Sequence, residues 1–239
     1  MSREIWKMLR LRGVAAVFAL AGCGLGVDGN GQRVNEVRAL EGFSAVETAA
    51  SLDVKITRAD AFHVEVSIDS NLLHAVRTDL VGDVLLVDAS EPIGRTVPGP
   101  HVIVTMPTLR RAAVSGSGGL WASGFQQADP VTLVIDGSGQ LSFSGDVPQA
   151  DVRASGSGDA RLQGTAAALA VAVDGSGTVD ARGLEAMTAD LSISGSGDLA
   201  ANVSGSAHVT VSGSGSVDLY GNAVLESSNV SGSGSVTRH

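Results

Sequence analysis

The stretch VSGSG at residues 211–215 has the composition of a flexible Gly/Ser linker. The chain repeats it. VSGSG stands again at 114–118 and 230–234, IDGSG at 135–139, ASGSG at 154–158, VDGSG at 173–177 and ISGSG at 193–197. Taking the first Gly of each GSG as position zero gives Gly116, Gly137, Gly156, Gly175, Gly195, Gly213 and Gly232, spaced 21, 19, 19, 20, 18 and 19 residues apart. Two residues before zero stand Val114, Ile135, Ala154, Val173, Ile193, Val211 and Val230. Four residues after it stand Leu120, Leu141, Ala160, Val179, Leu199, Val217 and Val236. A further Gly falls eight residues after zero at Gly124, Gly145, Gly164, Gly183 and Gly221. A disordered linker has no reason to keep apolar columns of this kind.

Between the glycines the residues alternate with period two, as in LAVAVD (169–174), DLSIS (190–194), HVTVS (208–212) and SVDLY (216–220). That is the pattern of a half-buried strand. Each repeat then reads as strand, GSG, strand, Gly turn and loop, which is one coil of a parallel β-solenoid. Coils stack at the strand spacing of about 4.8 Å, and one coil cannot bury its own apolar face without neighbours. The fold class expected is all-β: a parallel β-helix with about seven GSG-marked coils behind a β-rich N-terminal segment. Two geometries remain open for the corner, one with the Ser outward as a hydroxyl ladder and one with the Ser turned in. All six Pro residues lie at or before Pro148, so none interrupts the later strands, where Pro would remove a ladder hydrogen bond.

Outside the repeats the first 22 residues read as processing rather than fold. Arg3, Lys7, Arg10 and Arg12 precede the apolar run VAAVFALA (14–21), which is shorter than the roughly 20 residues of a spanning helix. The run ends in LAGC (20–23), which resembles the bacterial lipobox; Cys23 is the only Cys of the chain. The expectation is a lipoprotein signal over 1–22, lipidation of Cys23 and, with Gly24 following it, an outer-membrane anchor. With no second Cys there is no internal disulfide. Residues 23–35 read as a flexible tether, 36–110 as irregular N-terminal coils and 111–239 as the regular repeats. Removing 1–22 leaves 12 bases and 24 acids, a net charge of −12. Nucleic acid and anionic membrane surfaces are therefore poor partners, and membrane attachment falls to the lipid.

Residues 35–110 are still β-rich. Alternating runs occur at 42–60 (Val46, then Leu52, Val54 and Ile56), 62–69, 83–90 and 101–107, and residues 70–82 hold a short helix N-capped by Ser70 or Asn71, then a turn. The order GFSAVETAASLDVKIT, FHVEVSIDSNLL, DVLLVDAS and HVIVTMPTLRRAAVSGSG, followed by repeated VSGSG, resembles the head GIN domain family of bacterial envelope proteins. The resemblance covers about residues 36–239. It implies a β-helical fold, an envelope location and an adhesin label, and it supplies no catalytic residues.

The residues themselves carry little chemistry. There is no G-x-S-x-G elbow, no phosphate loop and no His-rich ligand spacing, since His63, His74, His101, His208 and His239 are scattered. Asp follows the GSG only at Asp159 and Asp198, two coils apart or about 9.6 Å, too far for one calcium shell. No metal or cofactor is expected. The outward column five residues after zero holds Trp121, Ser142, Arg161, Asp180, Ala200 and Asp218. Trp121, Arg161, Asp180 and Asp218 are the candidate ligand face, with a glycan as the ligand. The plainer expectation is that Trp121 fills the wide first coil and that Arg161 and Asp180 form a surface ion pair. The expected role is a non-enzymatic, lipid-anchored envelope protein for surface display, adhesion or binding. The alternative is a carbohydrate-active β-helix enzyme with a carboxylate pair at Asp180 and Asp218. The last coil at VSGSGSVTRH (230–239) has no polar cap, so self-association or a protein partner is expected at that end.

Overall fold

A computed structural model describes residues 26–239; the expected signal over 1–22 and lipidation at Cys23 lie outside the described residues. The chain runs through β1 (Arg33–Arg38), β2 (Ala45–Thr48), β3 (Asp53–Arg58), β4 (His63–Asp69), a 3-10 helix (Ser70–Ala75), β5 (Val76–Val81), β6 (Val84–Ala89) and β7 (His101–Met106). The repeats follow as β8 (Arg111–Val114), β9 (Gly119–Gln126), β10 (Val131–Gly137), β11 (Gln140–Gly156), β12 (Asp159–Gly175), β13 (Thr178–Gly195), β14 (Asp198–Gly213), β15 (Ser216–Tyr220), β16 (Val224–Gly232) and β17 (Ser235–Arg238). The seventeen strands join in one sheet wound into a parallel β-solenoid.

The apolar columns are the core. Val114, Ile135, Ala154, Val173, Ile193, Val211 and Val230 follow one another across the parallel ladder. All but Val230, on the last coil, are buried. In the middle coils the expected loop after the second Gly is absent. Gly145 pairs with Gly164 inside β11 and β12, so each 17-residue strand bends around the coil while its hydrogen bonds continue.

The GSG corner has its Ser outward: Ser138, Ser157, Ser176, Ser196 and Ser214 are exposed, while the second Gly of each of these corners is buried. Gly175 shows why the first Gly is required. Its φ is +127°, and a Cβ there would lie 2.5 Å from the Gly156 carbonyl oxygen. That oxygen accepts the Ser176 N–H at 2.8 Å, so the corner is both left-handed and in contact with the coil below. The hydroxyl ladder is realised at two steps, Ser51 to Ser117 at 2.8 Å and Ser138 to Ser157 at 3.2 Å.

Two coils without glycine corners stack in front of the seven. Their order is not the order of the chain. β2 pairs with β6 on one edge and β8 on the other, and β3 pairs likewise with β7 and β9. The coil of residues 45–58 is thus sandwiched between the coil of 84–106 and the first GSG coil. Three antiparallel strands close the outer end: β4 on β7, β1 on β4 and β5 on β6.

The structure corrects two expectations in this region. The 3-10 helix stops at Ala75, and Val76–Val81 become a strand because the two-residue turn at Gly82 (φ +66°) and Asp83 folds them back on β6. The position before the helix is Asp69, not Ser70 or Asn71. Its carboxylate is directed elsewhere and accepts the Gly31 N–H. The tether reading of 23–35 also fails from Val27 onward. Val27 bridges Ile93, Gly29 donates to Arg95 O, and Arg33 donates to Ser67, Pro98 O and Gly99 O. This segment holds the loop before β7 against the cap.

Candidate functional site

The outward column forms strand by strand: Trp121 beside Ser142, then Arg161, Asp180, Ala200 and Asp218. Toward the cap it continues through Lys55. Trp121 does not fill the coil. It is half-buried and outward, between the buried Leu120 and Ala122, and the interior is filled by Phe125 and Phe143, whose rings stack 6.5 Å apart. Gly119 explains the pose, because a Cβ there would overlap the indole. With no side chain at Gly119, the ring lies across its own strand.

Beside the indole lies an open groove of about 490 Å³, lined in part by Trp121, Gln140, Ser142, Asp159, Arg161 and Asp180. A second hollow of about 290 Å³ shares Arg161 and Asp180 with it and extends to Arg182 and Gly183. The structure therefore brings three of the four candidate residues to one groove. Asp218 is outside it, paired with His239 at 2.9 Å, whose ring stacks on Tyr220.

Asp180 is the electrostatic centre of this face. Arg182 Nε donates to Oδ1 at 2.9 Å, Nη2 donates to Oδ2 at 2.8 Å, and the Arg182 N–H adds a bond at 3.2 Å. Arg161 Nη2 approaches at 3.5 Å. The side-chain bond from Arg182 is the main reason the carboxyl is lowered from 3.8 to about 2. Partial burial opposes this, and the Arg182 backbone bond and both positive charges add to it. Arg182 is raised in return. The period-two alternation of GTVDAR (177–182) puts Arg182 two residues from Asp180 on the same face, a neighbour that the column five residues after zero does not contain. Gln140 and Asp159 also line the groove although neither belongs to that column; both stand at the first position after the GSG, on adjacent strands.

A larger hollow of about 560 Å³ lies between the corner at Ala49–Leu52 and residues 88–94. Its acids are already engaged, Asp88 with Arg77 and Glu91 with His74, so the Trp121 groove offers the freer chemistry. Among the described residues no three His, Cys, Asp or Glu side chains converge as a metal site, and no helix is long and apolar enough to cross a membrane.

Residues 42–223 match the family described as "Putative auto-transporter adhesin, head GIN domain". No curated protein matches the sequence. The fold is similar to that of a "putative adhesin" from Bacteroides fragilis, at 20% identity over 90% of this chain and 100% of that one, with a TM-score of 0.78. It is similar as well to a "putative lipid binding protein" from Parabacteroides distasonis, at 19% identity over 89% of this chain and 99% of that one, TM-score 0.72. A "putative adhesin" from Parabacteroides merdae gives 19% identity, coverage of 89% and 98%, and a TM-score of 0.67. At these identities the likeness is one of fold.

Proposed function

The chain belongs to the head GIN domain family, and on that premise we propose that it is a lipid-anchored cell-envelope protein whose solenoid head binds its ligand without turning it over, in surface display or adhesion. The observation that carries binding over hydrolysis is the state of Asp180. A glycoside hydrolase needs one carboxyl held protonated, with a raised pKa, to donate to the leaving oxygen. Asp180, the carboxyl most enclosed by the groove, is pushed the other way by Arg182 and stays ionised. A second carboxylate at Asp218 is two strands away and engaged with His239. What remains is a rigid outward surface with an aromatic ring and paired charges, which suits recognition.

The LAGC stretch at 20–23 supports attachment through lipid on Cys23, and Gly24 supports the outer membrane. Residues 27–35 then hold the head to its cap, which leaves only a short span between lipid and solenoid.

The test expresses the full chain in a Gram-negative host and measures two things. Cys23→Ser is expected to move the protein from the membrane to the soluble fraction and to abolish cell adhesion to immobilised polysaccharide. Purified protein is expected to release no new reducing ends from the same polysaccharides. Turnover that disappears in Asp180→Ala overturns the binding reading in favour of a carbohydrate-active enzyme. A Cys23→Ser chain that stays membrane-bound overturns the lipid anchor.

A further inference from the structure

We propose that the Trp121 groove is a subsite for a neutral pyranose within a polysaccharide, with the sugar ring seated on the indole and its hydroxyls held by Gln140, Asp159 and Arg161. The proposal rests on the binding reading above and names its ligand class.

Several observations converge. The indole is outward and partly exposed on its strand, and it lies over Gly119 because Gly119 has no side chain. An aromatic face held open in this way is the complement of the apolar C–H face of a pyranose, and Trp loses little conformational entropy on contact. Around it stand exposed polar groups of the types that read hydroxyls: the Gln140 amide, which donates and accepts, and the Asp159 carboxylate, which accepts from two neighbouring O–H groups. Arg161 completes the set. Asp180 is already taken by two bonds from Arg182 and holds Arg161 at only 3.5 Å. Most of Arg161's five N–H donors are therefore free for ring or hydroxyl oxygens.

The spacing gives room for a ring. Only the short Ser142 separates Trp121 from Arg161 in the column, so they stand two strands apart, about 9.6 Å. The charge favours a neutral sugar. Asp159 and Asp180 are matched by Arg161 and Arg182 across the two hollows, so the site holds no excess of cations, on a chain of net charge −9. A uronate or phosphate would gain no net attraction there and would meet the charge of the whole chain, and a neutral sugar would not. Finally, the groove opens at Arg161 and Asp180 into the second hollow toward Gly183, which gives a chain of sugars a way past the first ring.

The experiment uses the full chain carrying Trp6→Phe, which leaves Trp121 as its only tryptophan. Emission is titrated with neutral hexasaccharides (β-1,4-glucan, β-1,3-glucan and β-1,4-mannan) and with hexagalacturonate. A saturable change in Trp121 emission with a neutral hexasaccharide is expected, with hexagalacturonate at least about tenfold weaker. Arg161→Ala and Asp159→Ala are expected to weaken binding about tenfold or more without altering the circular dichroism spectrum, because each removes a charged hydrogen-bond partner. Gly119→Ala, which displaces the indole without deleting it, is expected to do the same. Emission that stays flat with every neutral sugar overturns the proposal. So does tighter binding of hexagalacturonate, or binding untouched by both Arg161→Ala and Gly119→Ala. If cells displaying Gly119→Ala and Arg161→Ala adhere to polysaccharide as well as the parent, adhesion stands and this subsite falls.

Discussion

Thr48 occupies a place where every equivalent residue is aliphatic. It sits in the inward column between Val87 and Val114, and all three are fully buried. Its carbonyl is satisfied, accepting the Ser115 N–H at 2.9 Å and the Ser115 hydroxyl at 3.3 Å. Its own Oγ1 is buried without a hydrogen-bond partner. Thr48→Val keeps the β-branch and its χ1 preference and replaces only the hydroxyl. An unpaired buried hydroxyl costs about 1–3 kcal/mol, and the new methyl adds up to about 0.8 kcal/mol of apolar burial. The expected gain is therefore about 2 kcal/mol, or a rise of about 4–8 °C in the thermal midpoint for a chain of this size. Thr48→Ser separates the two terms. It keeps the hydroxyl and loses the methyl, and a loss of about 1 kcal/mol is expected. Guanidinium unfolding followed by circular dichroism, with the slope compared between variants, measures both. A Thr48→Val protein that is no more stable than the parent refutes the reasoning, since the hydroxyl must then have a partner worth as much as the methyl.

Three further outcomes are expected. At the corners, Gly175→Ala should destabilise by about 3 kcal/mol or more, because it adds strain at φ +127° to a clash with Gly156 O, whereas Ser176→Ala, at an exposed hydroxyl, should stay within about 0.5 kcal/mol; equal effects in thermal melts would contradict the corner geometry. Asp180 should titrate near 2 in a carboxyl NMR experiment and move toward 3.8 in Arg182→Ala. Since its folded value is depressed, its stabilising contribution is complete above about pH 4 and is lost as pH falls toward 2. A midpoint near 3.8 in the parent would remove the argument that Asp180 is held ionised. At the far end, the outer edges of β16 and β17 have no partner strand among the described residues, and Val224 and Val230 are 65% and 41% exposed. Light scattering should show concentration-dependent self-association that Val230→Lys reduces; a parent that remains monomeric at its highest soluble concentration would count against it.

The repeats were legible because they answer to a local rule. An apolar residue two before each GSG and another four after it define the interior wherever they occur, and Val173 or Leu199 needed no partner to be assigned. The corner was harder, since Gly175 looks alike with Ser176 in or out, and only contact with Gly156 O of the coil below distinguishes them. The N-terminal strands were visible, but their order was not. Nothing local in Val46 or Val54 says that residues 84–106 will insert outside them while 111–126 take the other edge. The tether failed for the same reason. Val27 and Arg33 have linker-like neighbours in sequence, and their partners Ile93 and Ser67 are more than thirty residues away. At the groove, the column of Trp121, Arg161 and Asp180 followed from the repeat, but the pose of the indole depended on Gly119, which alternation alone does not single out.

Seven interchangeable corners raise a problem of counting. Slide the stack by one whole coil and every apolar column still meets an apolar column, so the repeats by themselves permit pairings that skip a turn. The coil of residues 45–58 removes this freedom. Its corner reads Ala50, Ser51, Leu52 where the others have Gly, Ser, Gly, and Gly118 packs against Leu52 O and Ala50 O. Both its edges are occupied by specific neighbours, and beyond them three antiparallel strands block growth in that direction. The solenoid therefore has a fixed origin, with the cap on one side of it and the repeats on the other. Coil one of the repeat is the one that fits Leu52, and each later coil is numbered from it. Amide exchange should be slow in residues 45–58, which fraying from the far end reaches only after all seven repeat coils and which the coil of 84–106 and the cap cover on the other edge.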